Sequence, residues 1–241
     1  MNRNPEDFRS SIRNLLANRS RRVIRDPGLI CAAVLIPLLY KEGEWHVAVT
    51  QRTHDVEHHK GQISFPGGAC EAGDADLQAT ALRETWEEIG VPPETVEVLG
   101  ALDDFETISH FVVTPFVGVI SEAASSPVSE AASSPVSEAA SSLVSEAASS
   151  SVSEAASSLV SEAASSLVSE AASFAYRLNP AEVDGVVEVP LSFLLDESNL
   201  RVEQREHDGQ IFDVLFWDFG PFTIWGATAR MLKDLLDLVF S

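Results

Sequence analysis

Apolar positions along the chain change their period several times, and each change marks an expected element. Phe8, Ile12, Leu15 and Leu16 recur at three- and four-residue steps behind Asn4-Pro5-Glu6-Asp7. That stripe and its capping segment predict an N-terminal helix packed on the domain. From Gly28 the period changes. Residues 30–36 form a continuous apolar run, the pattern of a strand buried on both faces. Lys41-Glu42-Gly43-Glu44 reads as a turn, and residues 45–50 as the hairpin partner of that strand. The longest apolar run, residues 29–40, is broken by Pro37 and is too short to span a bilayer.

Further on, Ala79, Leu82, Trp86 and Ile89 fall at helical spacing and predict an apolar stripe on a helix that Pro92-Pro93 stops. Residues 96–100 and 111–120 read as strands, and Pro115 suggests an edge or a bulge in the second. Residues 186–195 read as a strand followed by a short helix, and 201–206 with 210–217 as a hairpin around Asp208-Gly209. Residues 223–229 are expected to open a closing helix with Met231, Leu232, Leu235, Leu236 and Val239 on its apolar side.

Between residues 121 and 173 the pattern collapses into an octapeptide: SEAASSPV twice, SEAASSLV, SEAASSSV, SEAASSLV twice, and a partial SEAAS. On a helix each copy would drift by roughly 80° around the axis, so no stable stripe forms. Pro127 and Pro135 oppose helix in the early copies. The Ser-rich, aromatic-free composition predicts a disordered or weakly helical insert in a surface loop, with a partner-binding arm as the alternative. The expected organisation is a basic helical segment at 1–27, a domain at 28–120 and 174–241, and the insert at 121–173.

The 241 residues, 45% of them hydrophobic, suffice for one core with an appendage. The formal net charge of −21 argues against a general nucleic-acid or anionic-membrane binder, because both need clustered positive charge. The array holds seven of the 37 acidic residues and no basic one, so the acidity extends beyond it. Basic residues gather instead in the N-terminal segment, at Arg3, Arg9, Arg13, Arg19, Arg21, Arg22 and Arg25. An organelle-targeting peptide is the alternative to a packed helix there, but Glu6 and Asp7 count against it. Cys31 and Cys70 are the only cysteines, and they are expected to be free thiols in a reducing, cytoplasmic setting.

Candidate chemistry gathers between Phe65 and Val91. Phe65-Pro66-Gly67-Gly68 carries paired glycines that let backbone approach a ligand. Glu84, Glu87 and Glu88 then stand at i, i+3 and i+4, so their carboxylates share one helix face. Three like charges on one patch repel, and a hard divalent cation with a preference for oxygen turns that repulsion into coordination. A solvated acidic face is the plainer alternative, and the attached glycine loop and the Arg83-Glu84 pair weigh against it.

This stretch resembles the Nudix box, in which Gly, five residues, Glu, seven residues and Arg-Glu-apolar-x-Glu-Glu-x-Gly-apolar recur. Arg83, Glu84, Glu87, Glu88, Gly90 and Val91 match directly. Ala69 and Ala75 stand where the box has Gly and Glu, while Gly68 and Asp74 lie one residue earlier; Thr85 replaces an aliphatic residue. The box is therefore one residue longer, with Asp for the early Glu, and that spacing is similar to the coenzyme A subgroup of Nudix hydrolases. Upstream, Val49, Thr50, Arg52, Gly61, Phe65, Pro66, Gly67 and Gly68 keep the places of the same subgroup's pattern, and His59 falls where it commonly has His. Thr53 replaces Ser or Ala, and Glu57 occupies the position of a second Arg.

The resemblance implies an α/β fold, the Nudix α/β/α sandwich with a mixed central sheet, here interrupted by the repeat insert. It implies hydrolysis of a diphosphate in a small-molecule nucleoside derivative, coenzyme A or an acyl-CoA first among them. Glu84, Glu87 and Glu88 would hold Mg²⁺ or Mn²⁺, and Arg83 would orient a neighbouring carboxylate. Arg52, Gly67, Gly68 and His59 would face the substrate, Arg52 as a phosphate contact or, in the plainer reading, a strand-end Arg paired with a carboxylate. Adjacent His58 and His59 point to opposite sides on extended chain, which weighs against a metal pair. Glu182 and Asp184 are candidate late acids at the site, and Asp103, Asp104 and Glu106 candidate metal contacts or bases. A different diphosphate pocket, a non-catalytic binding module, and a scaffold built on the array are the competing readings.

Overall fold

The computed structural model describes residues 4–53, 61–121, 175–207 and 209–240. The chain opens with helix α1, Pro5–Ala17, whose Asn4 cap accepts from the Glu6 N–H, and Phe8, Ile12 and Leu16 bury its inner face. Strands β1 (Ile30–Lys41) and β2 (Glu44–Arg52) follow as a hairpin. Its two turn residues, Glu42 and Gly43, both take positive φ, at 54° and 83°, the backbone that matches strand twist in a two-residue hairpin. Then come β3 (Ile63–Ser64), β4 (Gly67–Ala69), helix α2 (Leu77–Ile89), β5 (Val96–Ala101), β6 (Phe105–Glu106) and β7 (Phe111–Ile120). Beyond residues 122–174 the order is β8 (Val183–Pro190), α3 (Leu191–Leu195), β9 (Leu200–His207), β10 (Gln210–Phe219), β11 (Phe222–Trp225) and α4 (Gly226–Phe240).

Eight strands form a mixed sheet with the central path β3-β2-β1-β7-β5; β4 also pairs with β1, β6 with β7 and β8 with β2. The β1–β7 pair is parallel and the others antiparallel. Alternate residues of β1 supply both faces. Ala32, Ile36 and Leu38 pack with Phe8 and Ile12 of α1 and with Leu232 and Leu235 of α4. Ala33 and Leu35 pack with Ala81 of α2, and Leu39 with Ile89. The result is the expected α/β/α sandwich; the buried-both-sides reading of residues 30–36 holds for its central strand from Ala32 on, whereas Ile30 and Cys31 are exposed. Strands β9, β10 and β11 form a second, three-stranded sheet.

Several expectations change. Pro115 lies in a strand flanked on both sides, opposite the break between β5 and β6, where its missing N–H costs no ladder bond; its carbonyl accepts from the Leu102 N–H at 2.8 Å. Residues 222–225 are strand, paired with β10, and the closing helix begins only at Gly226. Of the expected stripe on α2 only Ile89 is fully buried, and Trp86 is 40% exposed; the buried face is completed by Thr80, Ala81, Thr85 and Glu88. The cysteines are not free. The β1–β4 register sets Ala32 opposite Ala69, which brings the neighbouring Cα atoms of Cys31 and Cys70 to 5.5 Å, and the two form a disulfide. Asp103 and Asp104 serve the N-terminal segment rather than a metal. Arg19 and the Arg22 N–H reach Asp103, and the Ile24 N–H (2.8 Å), Arg21 (3.2 Å) and Thr114 (2.7 Å) reach the buried Asp104. His54, Glu57, His58, His59, Asp208 and the array beyond Ser121 lie outside the described residues. Among the described residues no helix is long and apolar enough to cross a membrane.

Candidate active site

Strand β4 lies flat on β1, with Gly67 opposite Val34 and Gly68 opposite Ala33. Only glycine fits this narrow seam. Gly67 has φ 153°, and a Cβ there would stand 2.6 Å from the Val34 Cα. A Cβ on Gly68 would stand 2.5 Å from Glu84 Oε1 and 2.6 Å from its Cδ. The two glycines therefore let a backbone strand pass between the sheet and a carboxylate.

That carboxylate projects from α2, which Asp76 caps by accepting the Ala79 N–H at 2.8 Å, and which Gly90 ends in the left-handed region at φ 70°. The buried side of α2 carries small residues and threonines, so it sits close to β1, and Glu84 and Glu88 on that side point under the glycine strand. Glu88 has a side chain only 2% exposed; its Oε1 lies 3.7 Å from Arg52, and its Oε2 is buried with no hydrogen-bond partner. Burial pushes the Glu88 carboxyl up to about 8; Arg52 and the Gly67 N–H oppose the rise, while Glu84 and Glu182 add to it. Burial also raises Glu84, against the pull of Arg83.

Arg83 binds Asp74 with two nitrogens, at 2.9 and 3.1 Å, and also donates to Glu84 Oε1 (2.9 Å), Glu87 Oε2 (3.0 Å) and the Ala69 carbonyl (3.1 Å). Asp74 also accepts from Thr80 and from the Glu71 N–H. The Arg83 guanidinium holds the Asp74 carboxyl well below the usual carboxylate range. The aspartate one residue early is thus long enough to grip the guanidinium fork, which in turn orients Glu84. Glu87 is about half exposed on the solvent side of the same arginine.

Glu84, Glu88, Gly67, Gly68, Arg83 and Arg52 lie together. Glu182 joins them from the segment leading into β8. Its carbonyl accepts from the Thr53 N–H at 3.0 Å, its side chain accepts from Asn179 at 3.1 Å, and its charge raises both Glu84 and Glu88. Asp184, by contrast, is exposed. Asn179, Thr80 and the Ala69 carbonyl have no signature in the motif and emerge only from the fold.

The donor set suits a hard divalent cation. It consists of oxygens, it holds like charges in partial burial, and it leaves one buried carboxylate oxygen without a partner. Among the described residues no three acids, histidines or cysteines stand as a closed cluster; Glu84, Glu88 and Glu182 are linked here by mutual charge.

A family model described as the NUDIX domain matches residues 30–152. Uncharacterized Nudix hydrolase NudL from Enterobacter sp. (strain 638) is 40% identical over 233 residues, 95% of this chain and 92% of that one. The protein of the same name from Klebsiella pneumoniae (strain 342) is 38% identical over 235 residues, 96% and 93% of the two chains. Among solved structures, a Caenorhabditis elegans Ap4A hydrolase binary complex superposes with a TM-score of 0.41 at 13% identity, covering 69% of this chain and 84% of that one.

Proposed function

The chain belongs to the Nudix family of hydrolases, and from that premise we propose that it cleaves the diphosphate linkage of a nucleoside diphosphate derivative, with coenzyme A or an acyl-CoA as substrate. The observation that carries this reading is the buried, unpartnered oxygen of Glu88 beside Glu84 beneath a two-glycine strand. A carboxylate oxygen left without a hydrogen bond at that depth is costly unless it serves a ligand.

Glu84 and Glu88, flanked by Glu87 and Glu182, would hold Mg²⁺ or Mn²⁺. When bound, such an ion supplies charge stabilisation at the phosphoryl oxygens. The chain's own groups do the remainder. Arg83 fixes the rotamer of Glu84 and tempers its charge. Arg52, 29% exposed at the end of β2, faces Glu88 and is placed to meet a substrate phosphate as a charge-assisted donor. The Gly67–Gly68 backbone admits the diphosphate without a side chain in its way. In water attack at phosphorus, one carboxylate of the cluster takes the proton of the attacking water as the P–O bond of the linkage breaks. For coenzyme A the products are 4′-phosphopantetheine and adenosine 3′,5′-bisphosphate.

Coenzyme A is favoured by the motif spacing. Glu57, in place of an expected Arg, favours a different pocket such as that for a nucleotide sugar or dinucleotide. A cytoplasmic setting was expected from free thiols, and the Cys31–Cys70 bridge removes that support. Mass-resolved product analysis with coenzyme A and Mg²⁺ or Mn²⁺ tests the proposal, with Glu88→Gln as control. Both products should appear with the parent protein and vanish with the variant. Hydrolysis of other nucleoside diphosphates alone would discard coenzyme A, and inertness toward all of them would discard the enzyme reading.

A further inference from the structure

We infer that Asn179 is a positioning residue for this site: it ties the segment entering β8 to α2 and sets Glu182 against the Glu84–Glu88 pair. The inference rests on the reading of those carboxylates as a cation site. Asn179 makes bonds in three directions. Its N–H donates to the Glu88 carbonyl at 2.9 Å, which fixes it to the last turn of α2. Its carbonyl accepts from Glu182 N (3.0 Å) and Val183 N (2.9 Å), and its side-chain oxygen accepts from Ala181 N (3.2 Å). This is a tight turn of the kind an Asx side chain closes. That leaves the amide nitrogen, which donates to Glu182 Oε1 at 3.1 Å.

One residue therefore bonds the backbone of one site acid and the carboxylate of another. The surroundings reinforce the link. Arg177 N donates to the Ile89 carbonyl at 3.0 Å, and its guanidinium lies 5.4 Å over the Trp86 ring. A Cβ on Gly90 would stand 2.6 Å from the Arg177 Cβ, so the two segments touch at backbone distance. The Glu182 carbonyl accepts from Thr53 N, next to Arg52, the residue facing Glu88. A glutamate has three rotatable side-chain bonds, and holding one carboxylate oxygen removes much of that freedom before a ligand arrives. Asparagine suits the place because the same side chain both accepts and donates. An aspartate would close the turn and then repel Glu182.

Titration of the full-length chain with Mn²⁺ alone, followed by the electron paramagnetic resonance signal of the free ion, tests this without reliance on turnover. Asn179→Ser keeps an acceptor for the Ala181 N–H and loses the reach to Glu182. It should weaken Mn²⁺ binding roughly 10- to 100-fold, the range for groups that orient ligands, while far-UV circular dichroism stays that of the parent. Glu182→Gln leaves the turn's backbone untouched and should weaken binding as well. In the Glu182→Gln background, Asn179→Ser should add nothing further. Equal losses in both backgrounds, or unchanged binding in Glu182→Gln, would overturn the inference, and the second of these holds even if Asn179→Ser fails to fold. Glu88→Gln separates the two levels of argument. Lost binding there with normal binding in Asn179→Ser sinks the positioning role alone, whereas normal binding in Glu88→Gln sinks the cation site itself and this role with it.

Discussion

At the scale of single residues, the site is a compromise between close packing and charge. Gly68 shows the packing side. The three atoms nearest its hypothetical Cβ all belong to the Glu84 carboxylate, so Gly68→Ala should displace that group first. The expected outcome is a fall in kcat/KM of at least about 10-fold, on the scale of ligand-orienting substitutions, with a melting temperature close to the parent's. Glu88 shows the charge side. Its folded pKa, about 8, lies above its usual value of 4.5, so below that lower value both states are protonated and folding loses nothing. As pH rises from about 4.5 to about 8 the unfolded chain gives up a proton that the folded protein keeps, so stability falls across that window by an amount on the order of a few kcal/mol and levels off above it. In chelator, the parent should therefore melt lower at pH 8 than at pH 5.5, and Glu88→Gln should flatten that slope while abolishing turnover. A parent slope no steeper than the variant's would contradict the assignment. The acids were legible in the motif because their spacing is rigid on a helix. Their different fates were not, because the turn of Glu87 toward solvent and of Glu88 inward depends on where α2 meets β1.

At the scale of elements, α2 shows how hydrophobicity misleads when a helix carries a site. The apolar stripe through Leu82 and Trp86 suggests one inner face, yet the helix buries Ala81, Thr80 and Thr85. Small residues bring it close enough for its glutamates to lie under β4, and a tryptophan on that side would hold it away. Trp86 is covered from outside by Arg177 instead. Trp86→Ala should accordingly cost no more than about 1 kcal/mol, as surface sites do, and Ile89→Ala about 2–5 kcal/mol, as buried ones do; urea unfolding ranks the two. Strand β11 is not legible in the sequence because four residues between Gly220 and Gly226 are too few to show a period. The disulfide escaped because 39 residues separate its cysteines, and only the β1–β4 register brings them together. The β1–β2 hairpin was legible because its turn residues and apolar runs are contiguous.

At the scale of the whole molecule, the sandwich is what the Nudix resemblance implies, and the apolar run of β1, which demands cover on both faces, agrees with it. The basic N-terminal segment reads as a packed helix for a reason the sequence only half contains. Arg13 and Arg9 meet Glu97, Arg19 meets Asp103 and Arg21 meets Asp104, so these charges are neutralised locally in a strongly acidic chain. The repeat array interrupts the domain between β7 and β8, yet both of its neighbours are fastened to the body. β7 pairs with β1 and with β5 up to Ile120, Tyr176 donates to Glu188, and β8 pairs with β2 from His46 to Arg52. Deletion of residues 121–173 should therefore leave kcat within about twofold, the small effect expected of change away from the site, and a steady-state assay of the shortened chain checks it. The β2–β8 pairing has a further consequence. It closes a chain segment whose length is set by the number of octapeptide copies. For a flexible chain, closure entropy grows only with the logarithm of length, so eight residues more or less in a segment of this length change it by roughly 0.1 kcal/mol. Slippage of the repeat during replication would then be almost invisible to folding, and copy number is free to drift under selection that sees only the domain on either side.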